Sequence, residues 1–327
     1  MKVLVTGGTG FLGSHVAEQL NQSGHQVRAL VRASSDTTFL KTLNDVELAL
    51  GAVDDPQTLL AAVEGVDAVI HSAGLVKAKR ESDFERVNAE GTRHLLDAVK
   101  QRAPNLRRFV LVSSLTAGGP SRDGTPVGPK DDPRPVTHYG RSKLAAERIA
   151  AGYSSDLPVI MLRPPTLYGP RDREVLIFFR SIKNGVLPMT TPVDAKQSML
   201  YGPDCAAACI RAVDADIESG SLFCVDDGPP HSFLEMIEAA EAAMGRRARL
   251  RLPLPRPVTL GAAFATEIFG KVTNRAVIFT RDKCNELFEQ WVSDSTDARE
   301  QLAWEPRVRF HEGIKLTIDW YKKNGWL

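Results

Sequence analysis

The sequence predicts an α/β fold: a parallel, doubly wound sheet with a smaller C-terminal α/β cap. Three observations lead there. Short apolar runs alternate with amphipathic helical patterns through the first half of the chain. The runs are apolar throughout, as suits strands buried on both faces. A glycine-rich turn joins the first run to the first helical pattern.

The first strand is expected over Lys2–Thr6, with a helix over Phe11–Ser23. Gln26–Arg32, Val46–Leu50, Asp67–His71, Arg107–Ser113 and Leu157–Arg163 follow as strands. Helical periodicity covers Asp83–Arg102 and His138–Gly152. Gly118–Thr137, rich in Gly, Pro and Asp, is the longest expected loop, and loops of that length are usually functional. After Pro164 the rhythm breaks and Pro and Gly become frequent. Gln197–Tyr201 and Leu222–Val225 are expected to rejoin the sheet as two late strands. Ser232–Met244, Val258–Lys271 and Phe310–Asn324 read as helices. Residues 1–168 with 195–228 then form the sheet domain, and 169–194 with 229–327 form the cap.

Composition limits the partners. The chain has 327 residues, enough for a large core. It carries 41 Lys+Arg against 40 Asp+Glu, so the totals give no case for a nucleic-acid binder. The four cysteines, Cys205, Cys209, Cys224 and Cys284, contain no CxxC pair, so neither a disulfide framework nor a metal site is expected. Cys205 and Cys209 read as buried small side chains on one helix face. The N-terminus carries no signal-peptide pattern, which suggests a cytoplasmic protein. Val258–Phe269 is too short to span a bilayer and contains Glu267, so a core or interface helix is expected there.

The turn reads Thr6-Gly7-Gly8-Thr9-Gly10-Phe11-Leu12-Gly13. Gly7, Gly10 and Gly13 have the spacing of a dinucleotide-binding turn, in which glycines permit a tight bend and close approach to a pyrophosphate. The helix opening at Phe11 and Leu12 offers free N–H groups to the phosphates. This makes the sheet domain the dinucleotide-binding one and the cap the substrate-binding one. The acid that commonly ends the second strand and binds an NAD ribose is missing. Arg32 follows the strand, with Arg28, Ser34 and Ser35 nearby, and a guanidinium there suits a 2′-phosphate. NADP(H) is therefore favoured over NAD(H).

Tyr139-Gly140-Arg141-Ser142-Lys143 places Tyr139 and Lys143 on one helix face, after a strand ending in Val112-Ser113-Ser114. With these residues in view, the chain resembles an extended short-chain dehydrogenase/reductase of the NAD(P)-dependent epimerase/dehydratase kind. Within that group it is most similar to the dihydroflavonol-reductase-like and 3β-hydroxysteroid-dehydrogenase-like branch. The resemblance is carried by Thr6–Gly13, Asp54, His71–Gly74, Val87–Thr92, Ser113-Ser114, Tyr139–Lys143 and Arg163–Pro170, with weaker matches at Gln197–Asp204 and Ala298–Pro306.

The resemblance implies roles. Tyr139 is the general acid/base, its phenol drawn down from an ordinary pKa of about 10 by Lys143 and the nicotinamide charge. Lys143 also holds the nicotinamide ribose, and Ser114 bonds the reacting oxygen. Asp54 binds the adenine edge, Ala73 lines the cofactor through its backbone, and Pro164 and Pro165 shape the nicotinamide pocket. Asn88 braces the active-site strands or a water. His71 reads as a satisfied core histidine rather than a catalyst. Arg171-Asp172-Arg173 reads as a solvated helix start more readily than an anion site.

Three functions fit: an NADP(H)-dependent reductase or alcohol dehydrogenase, a nucleotide-sugar epimerase with a retained cofactor, and a non-enzymatic NADP sensor. Epimerases of this type typically carry the missing acid, and the intact Ser114, Tyr139 and Lys143 set disfavours the sensor. Phe178, Phe179, Met189, Met199, Phe264 and Phe269 are either substrate-pocket walls or ordinary core. The substrate is a small molecule, and the resemblance implies a homodimer through the helices Asp83–Arg102 and His138–Gly152.

Overall fold

The computed structural model describes residues 1–273, 275–277 and 279–327. The chain opens with β1 (Lys2–Thr6), α1 (Phe11–Gln22), β2 (Gln26–Val31) and β3 (Val46–Leu50). Then come α2 (Pro56–Val63), β4 (Ala68–His71), α3 (Glu81–Phe84) and α4 (Gly91–Arg102). β5 (Arg108–Val112), α5 (Leu115–Gly118), α6 (His138–Gly152), β6 (Val159–Arg163) and β7 (Thr166–Tyr168) follow. Next are α7 (Leu176–Asn184), β8 (Val186–Met189), β9 (Lys196–Gln197), β10 (Met199–Tyr201), α8 (Gly202–Asp214) and β11 (Ser221–Cys224). The last are β12 (His231–Ser232), α9 (Phe233–Met244), β13 (Leu250–Pro253), α10 (Arg256–Thr273), α11 (Arg281–Leu287), α12 (Thr296–Gln301) and α13 (Phe310–Lys323).

Seven strands form one parallel sheet in the order β11-β6-β5-β4-β1-β2-β3. The order reverses at β1, which lies between β2 and β4. That reversal opens a crevice at the C-terminal strand ends. β4, β5 and β6 are buried at every position, which explains their unbroken apolar reading. Val3, Val5, Val27, Ile70, Val110 and Ile160 pack on one face against α1 and α8. Leu4, Val69, Phe109, Leu111 and Val159 pack on the other against α2, α4 and α6. Burying a Leu or Phe of this kind is worth about 1.5–3 kcal/mol before entropy is counted.

The cap has its own core, in which Tyr168, Phe179, Ile182, Ile237, Phe310, Ile318 and Tyr321 meet. Residues 298–304 belong elsewhere: Ala298, Leu302 and Trp304 pack into the core of the sheet.

Of the two late strands expected in the sheet, only β11 joins it, beside β6. β10 instead pairs with β7, and β9 with β12, as separate ribbons. Pro164-Pro165 explains the departure. Neither residue has an N–H to donate, so the ladder ends at Arg163 and the chain turns away toward the cap. The expected helix over Asp83–Arg102 is likewise interrupted, with a π-helical turn at Glu85–Glu90 between α3 and α4. The four cysteines are free and buried, and Cys205 and Cys209 lie on α8 against the sheet.

Candidate active site

A cleft of about 2160 Å³ lies between the sheet's C-terminal edge and the cap. The glycine turn forms one end. Gly7 sits at φ +75°, and a Cβ there would lie 2.8 Å from the Ala73 nitrogen. At Gly13 a Cβ would stand 2.1 Å from the Gly7 carbonyl oxygen, so the turn can fold only with glycine at that place. α1 begins directly after Gly10, and no side chain caps it. Its first-turn N–H groups and positive dipole end thus border the cleft at Phe11 and Leu12, as a diphosphate site requires. The turn fits a dinucleotide.

The structure brings Ser114, Tyr139 and Lys143 together on the cleft wall. Ser114 caps α5, its Oγ accepting from Thr116 N at 3.3 Å and from Thr116 Oγ1 at 2.9 Å. Its own hydrogen is thereby left to donate into the cleft. Thr137 caps α6, accepting from Gly140 N at 3.0 Å and fixing the turn that carries Tyr139. Lys143 Nζ donates to the Val112 carbonyl at 2.8 Å. Two of its three hydrogens stay available.

Burial governs the titration of both groups. Burial pushes the Tyr139 phenol up to about 12, and the Ser114 hydroxyl offsets that only in part. Burial also depresses Lys143, to about 8, with Glu147 opposing. Desolvation acts against both charged forms.

A buried network underlies the pair. Glu147, one helical turn beyond Lys143, receives Arg163 Nε at 2.8 Å, Arg163 Nη2 at 2.7 Å and Ser113 Oγ at 2.5 Å. It ties α6 to β5 and β6. The i,i+4 spacing from Lys143 was the sequence signal for this residue, and it was missed. Phe84 was missed as well; its ring lies 6.2 Å from that of Tyr139.

Asn88 sits in the π-helical turn. Its amide donates to Leu75 O at 3.0 Å and Ser142 Oγ at 2.9 Å, and its carbonyl accepts Leu75 N at 2.7 Å. It braces protein elements, and the wider turn is what aims it inward. His71 is buried between Thr6 Oγ1 at 2.6 Å and Thr92 Oγ1 at 3.0 Å. Burial drives it down to about 3, so it is a neutral core histidine.

Gly7, Gly10, Phe11, Leu12, Gly13 and Pro164 line the cleft, while Arg32, Asp54 and Ala73 are not among its lining residues. The Ala73 N–H turns to Thr6 Oγ1 at 3.2 Å. Asp54 pairs with Arg86. Arg32 is exposed on a second cavity of about 270 Å³, beside Leu50, Gly51 and Thr58. Arg28 is taken out of consideration: its guanidinium is buried on Glu47 at 2.8 Å and the carbonyls of Ala62 and Glu64.

Arg171 borders the cleft with its side chain 16% exposed, and it is held on α1 rather than standing free in solvent. It bonds Ser14 Oγ at 2.9 Å, His15 Nδ1 at 2.5 Å and Glu18 Oε2 at 2.7 Å, and stacks on Phe39. His15 and then Arg171 hold Glu18 down at about 2. Asp172 is buried and bonds Glu174 N and Val175 N at the start of α7. On the cap side, Ile177, Phe178, Leu187, Phe233 and Met236 line the cleft, with Trp291, Trp320 and Trp326. Phe179 and Met199 are core, Met189 packs against it, and Phe264 and Phe269 are exposed. Among the described residues no group of three metal-ligating side chains gathers.

A parallel sheet with its reversal at β1, a glycine turn at that reversal and a Ser–Tyr–Lys cluster beside it define an enzyme of CH–OH and C=O chemistry that uses a nicotinamide dinucleotide. The chain belongs to the NAD dependent epimerase/dehydratase family, whose sequence profile matches residues 3–224. It is 32% identical to ceramide reductase of Caulobacter vibrioides, over 99% of this chain and 96% of that protein. It is 26% identical to a UDP-glucose 4-epimerase of Vibrio cholerae, over 96% of this chain and 94% of that one. The solved UDP-glucose 4-epimerase of Thermus thermophilus, in complex with NAD, superposes with a TM-score of 0.79 at 25% identity, over 98% of this chain and 99% of that one.

Proposed function

We propose that the protein is an NADP(H)-preferring reductase, or in reverse a dehydrogenase, acting on a carbonyl or secondary alcohol attached to an apolar body. The observation that carries this is the convergence of Ser114, Tyr139 and Lys143 on a cleft whose cap side is walled by Ile177, Phe178, Leu187, Phe233 and Met236. A relative at 32% identity is named for reducing a lipid, ceramide.

The glycine turn and α1 N–H groups would hold the dinucleotide phosphates, and Lys143 the nicotinamide ribose. Arg32 would take the 2′-phosphate, Asp54 the adenine edge, and Ala73 and Pro164 the flanks. When bound, the nicotinamide exchanges a hydride with the substrate carbon. Tyr139 gives its phenolic proton to the carbonyl oxygen in reduction and takes it back in oxidation. Ser114, its acceptor sites filled by Thr116, donates to the same oxygen. Lys143, fixed on Val112 O, keeps positive charge near the phenol below its pKa of about 8. A homodimer through α4 and α6 and a cytoplasmic location, where four thiols stay reduced, complete the reading.

The test sets NADPH against NADH with a panel of long-chain ketones and of UDP-sugars. The reading expects NADPH-dependent ketone reduction, with cofactor lost on gel filtration. Retained cofactor and interconversion of UDP-sugars without net redox change would replace it with the epimerase.

A further inference from the structure

The outer face of α10 has no counterpart in the reductase reading. Its inner side packs through Thr259, Ala263 and Gly270, and Glu267, Gly270 and Lys271 border the cleft. Its opposite side turns Val258, Ala262, Ala265, Ile268, Phe269 and Val272 to solvent. Phe269 is 59% exposed and Val272 80%. At 1.5 Å per residue the stripe is about 22 Å long, and isolated exposed apolar residues do not account for it. Leu250 and Leu252 of β13, the strand before the helix, are also exposed.

Charge frames the stripe. Arg246, Arg247, Arg249, Arg251 and Arg256 precede the helix body, and Lys271, Arg275, Arg281 and Lys283 end or follow it. Between residues 246 and 283 the acids are Glu267 and Asp282 alone. Arg251, Arg281 and Lys283 are paired to carboxylates. Arg246, Arg247, Arg249 and Arg256 lie outside the cleft and make no ion pair among the described residues, while Lys271 and Arg275 border the cleft. The balance of +1 over the whole chain conceals this concentration.

We propose that α10 is a membrane-surface helix. It lies in the plane of an anionic phospholipid bilayer, its apolar stripe among the acyl chains and the arginines that precede it on the headgroups. An exposed apolar face rimmed by arginine and lysine is the pattern of helices that bind such surfaces. No described helix is long and apolar enough to cross a bilayer, so the contact is peripheral. A second copy is the poorer occupant. A self-complementary interface here would press two basic rims together with few carboxylates between them. Because the inner side of α10 borders the cleft, the membrane lies against a wall of the active site. The proposal concerns the surface alone and holds whether the reaction is reduction or epimerisation.

The experiment is cosedimentation of the full chain with phosphatidylcholine/phosphatidylserine vesicles, about 7:3, against phosphatidylcholine alone. Binding is expected on the anionic vesicles and is expected to weaken with added salt. Ile268→Glu with Phe269→Glu should lower it roughly tenfold or more, since both lose apolar insertion. Arg246→Glu with Arg247→Glu should remove most of the preference for phosphatidylserine. Both side chains of each pair are exposed, and a thermal melt matching the parent confirms folding. Equal recovery with and without vesicles overturns the proposal. So does binding indifferent to both double variants, or a fall in molecular mass in the stripe variant without vesicle binding, which identifies a contact between copies.

Discussion

Tyr139 is where the proposed chemistry is most exposed to test. Tyr139→Phe keeps the ring beside Phe84 and removes only the proton carrier. Turnover should fall roughly 100- to 10,000-fold, while dinucleotide binding, followed by fluorescence, stays within about twofold of the parent because the glycine turn is untouched. Unchanged turnover removes Tyr139 from the mechanism. The pH dependence follows from burial. With the phenol near 12 and Lys143 near 8, Tyr139 is protonated throughout the neutral range and Lys143 loses its charge as pH rises through about 8. Reduction uses the protonated phenol and the Lys143 charge, so it should hold level below about 8 and decline above it as Lys143 turns neutral. Oxidation, which needs phenolate, should rise with pH. A kcat/KM profile for the two directions that lacks this opposition disproves the assignment.

Arg32 and Arg28 show what a linear sequence conveys about a cofactor site and what it does not. Both basic residues were legible near the end of β2. Which one is available depends on Glu47 of the neighbouring strand, a pairing across 19 positions. Arg32→Asp should weaken NADPH by about 10- to 100-fold, the scale of a charge-assisted phosphate contact, and leave NADH nearly unchanged in the same titration. Equal losses dismiss recognition of the 2′-phosphate.

At the scale of elements, the patterns that survived translation into structure are local ones. The glycine turn, the Tyr–Lys pair and the buried strands are set by backbone conformation and by spacing of two to four residues. The elements misread are those decided by distant partners. The π-helical turn exists where Asn88 reaches Leu75 and Ser142, and β10 leaves the sheet because the preceding prolines carried β7 away. The Glu147 network is of the same kind. Glu147→Ala would strand the Arg163 guanidinium, whose side chain is only 3% exposed, without its anion. A loss of about 3–5 kcal/mol in denaturant stability is expected. A loss below about 1 kcal/mol would mean that water replaces the carboxylate.

Across the whole molecule, the sheet and the cap hold separate apolar cores, and Arg171 reaches back from the cap side of the cleft to Ser14, His15 and Glu18 on α1. The proposed dimer adds a second layer: light scattering should return twice 35.8 kDa, and the monomer mass would reject it. α4 and α6 contribute none of the described exposed large apolar side chains, so such a dimer would be held by polar contacts and should dissociate more readily in salt.

The tryptophans give the protein its own optical probe. Trp291, Trp320 and Trp326 border the cleft, and Trp304, the remaining one of four, is sealed in the core of the sheet. Emission from three indoles should respond to whatever enters, while the fourth supplies a steady background. Reduced dinucleotide absorbs where indole emits, so occupancy should appear as quenching of tryptophan light and as sensitised emission from the dihydronicotinamide. Binding and turnover can then be followed in the unlabelled chain, before any substrate is known.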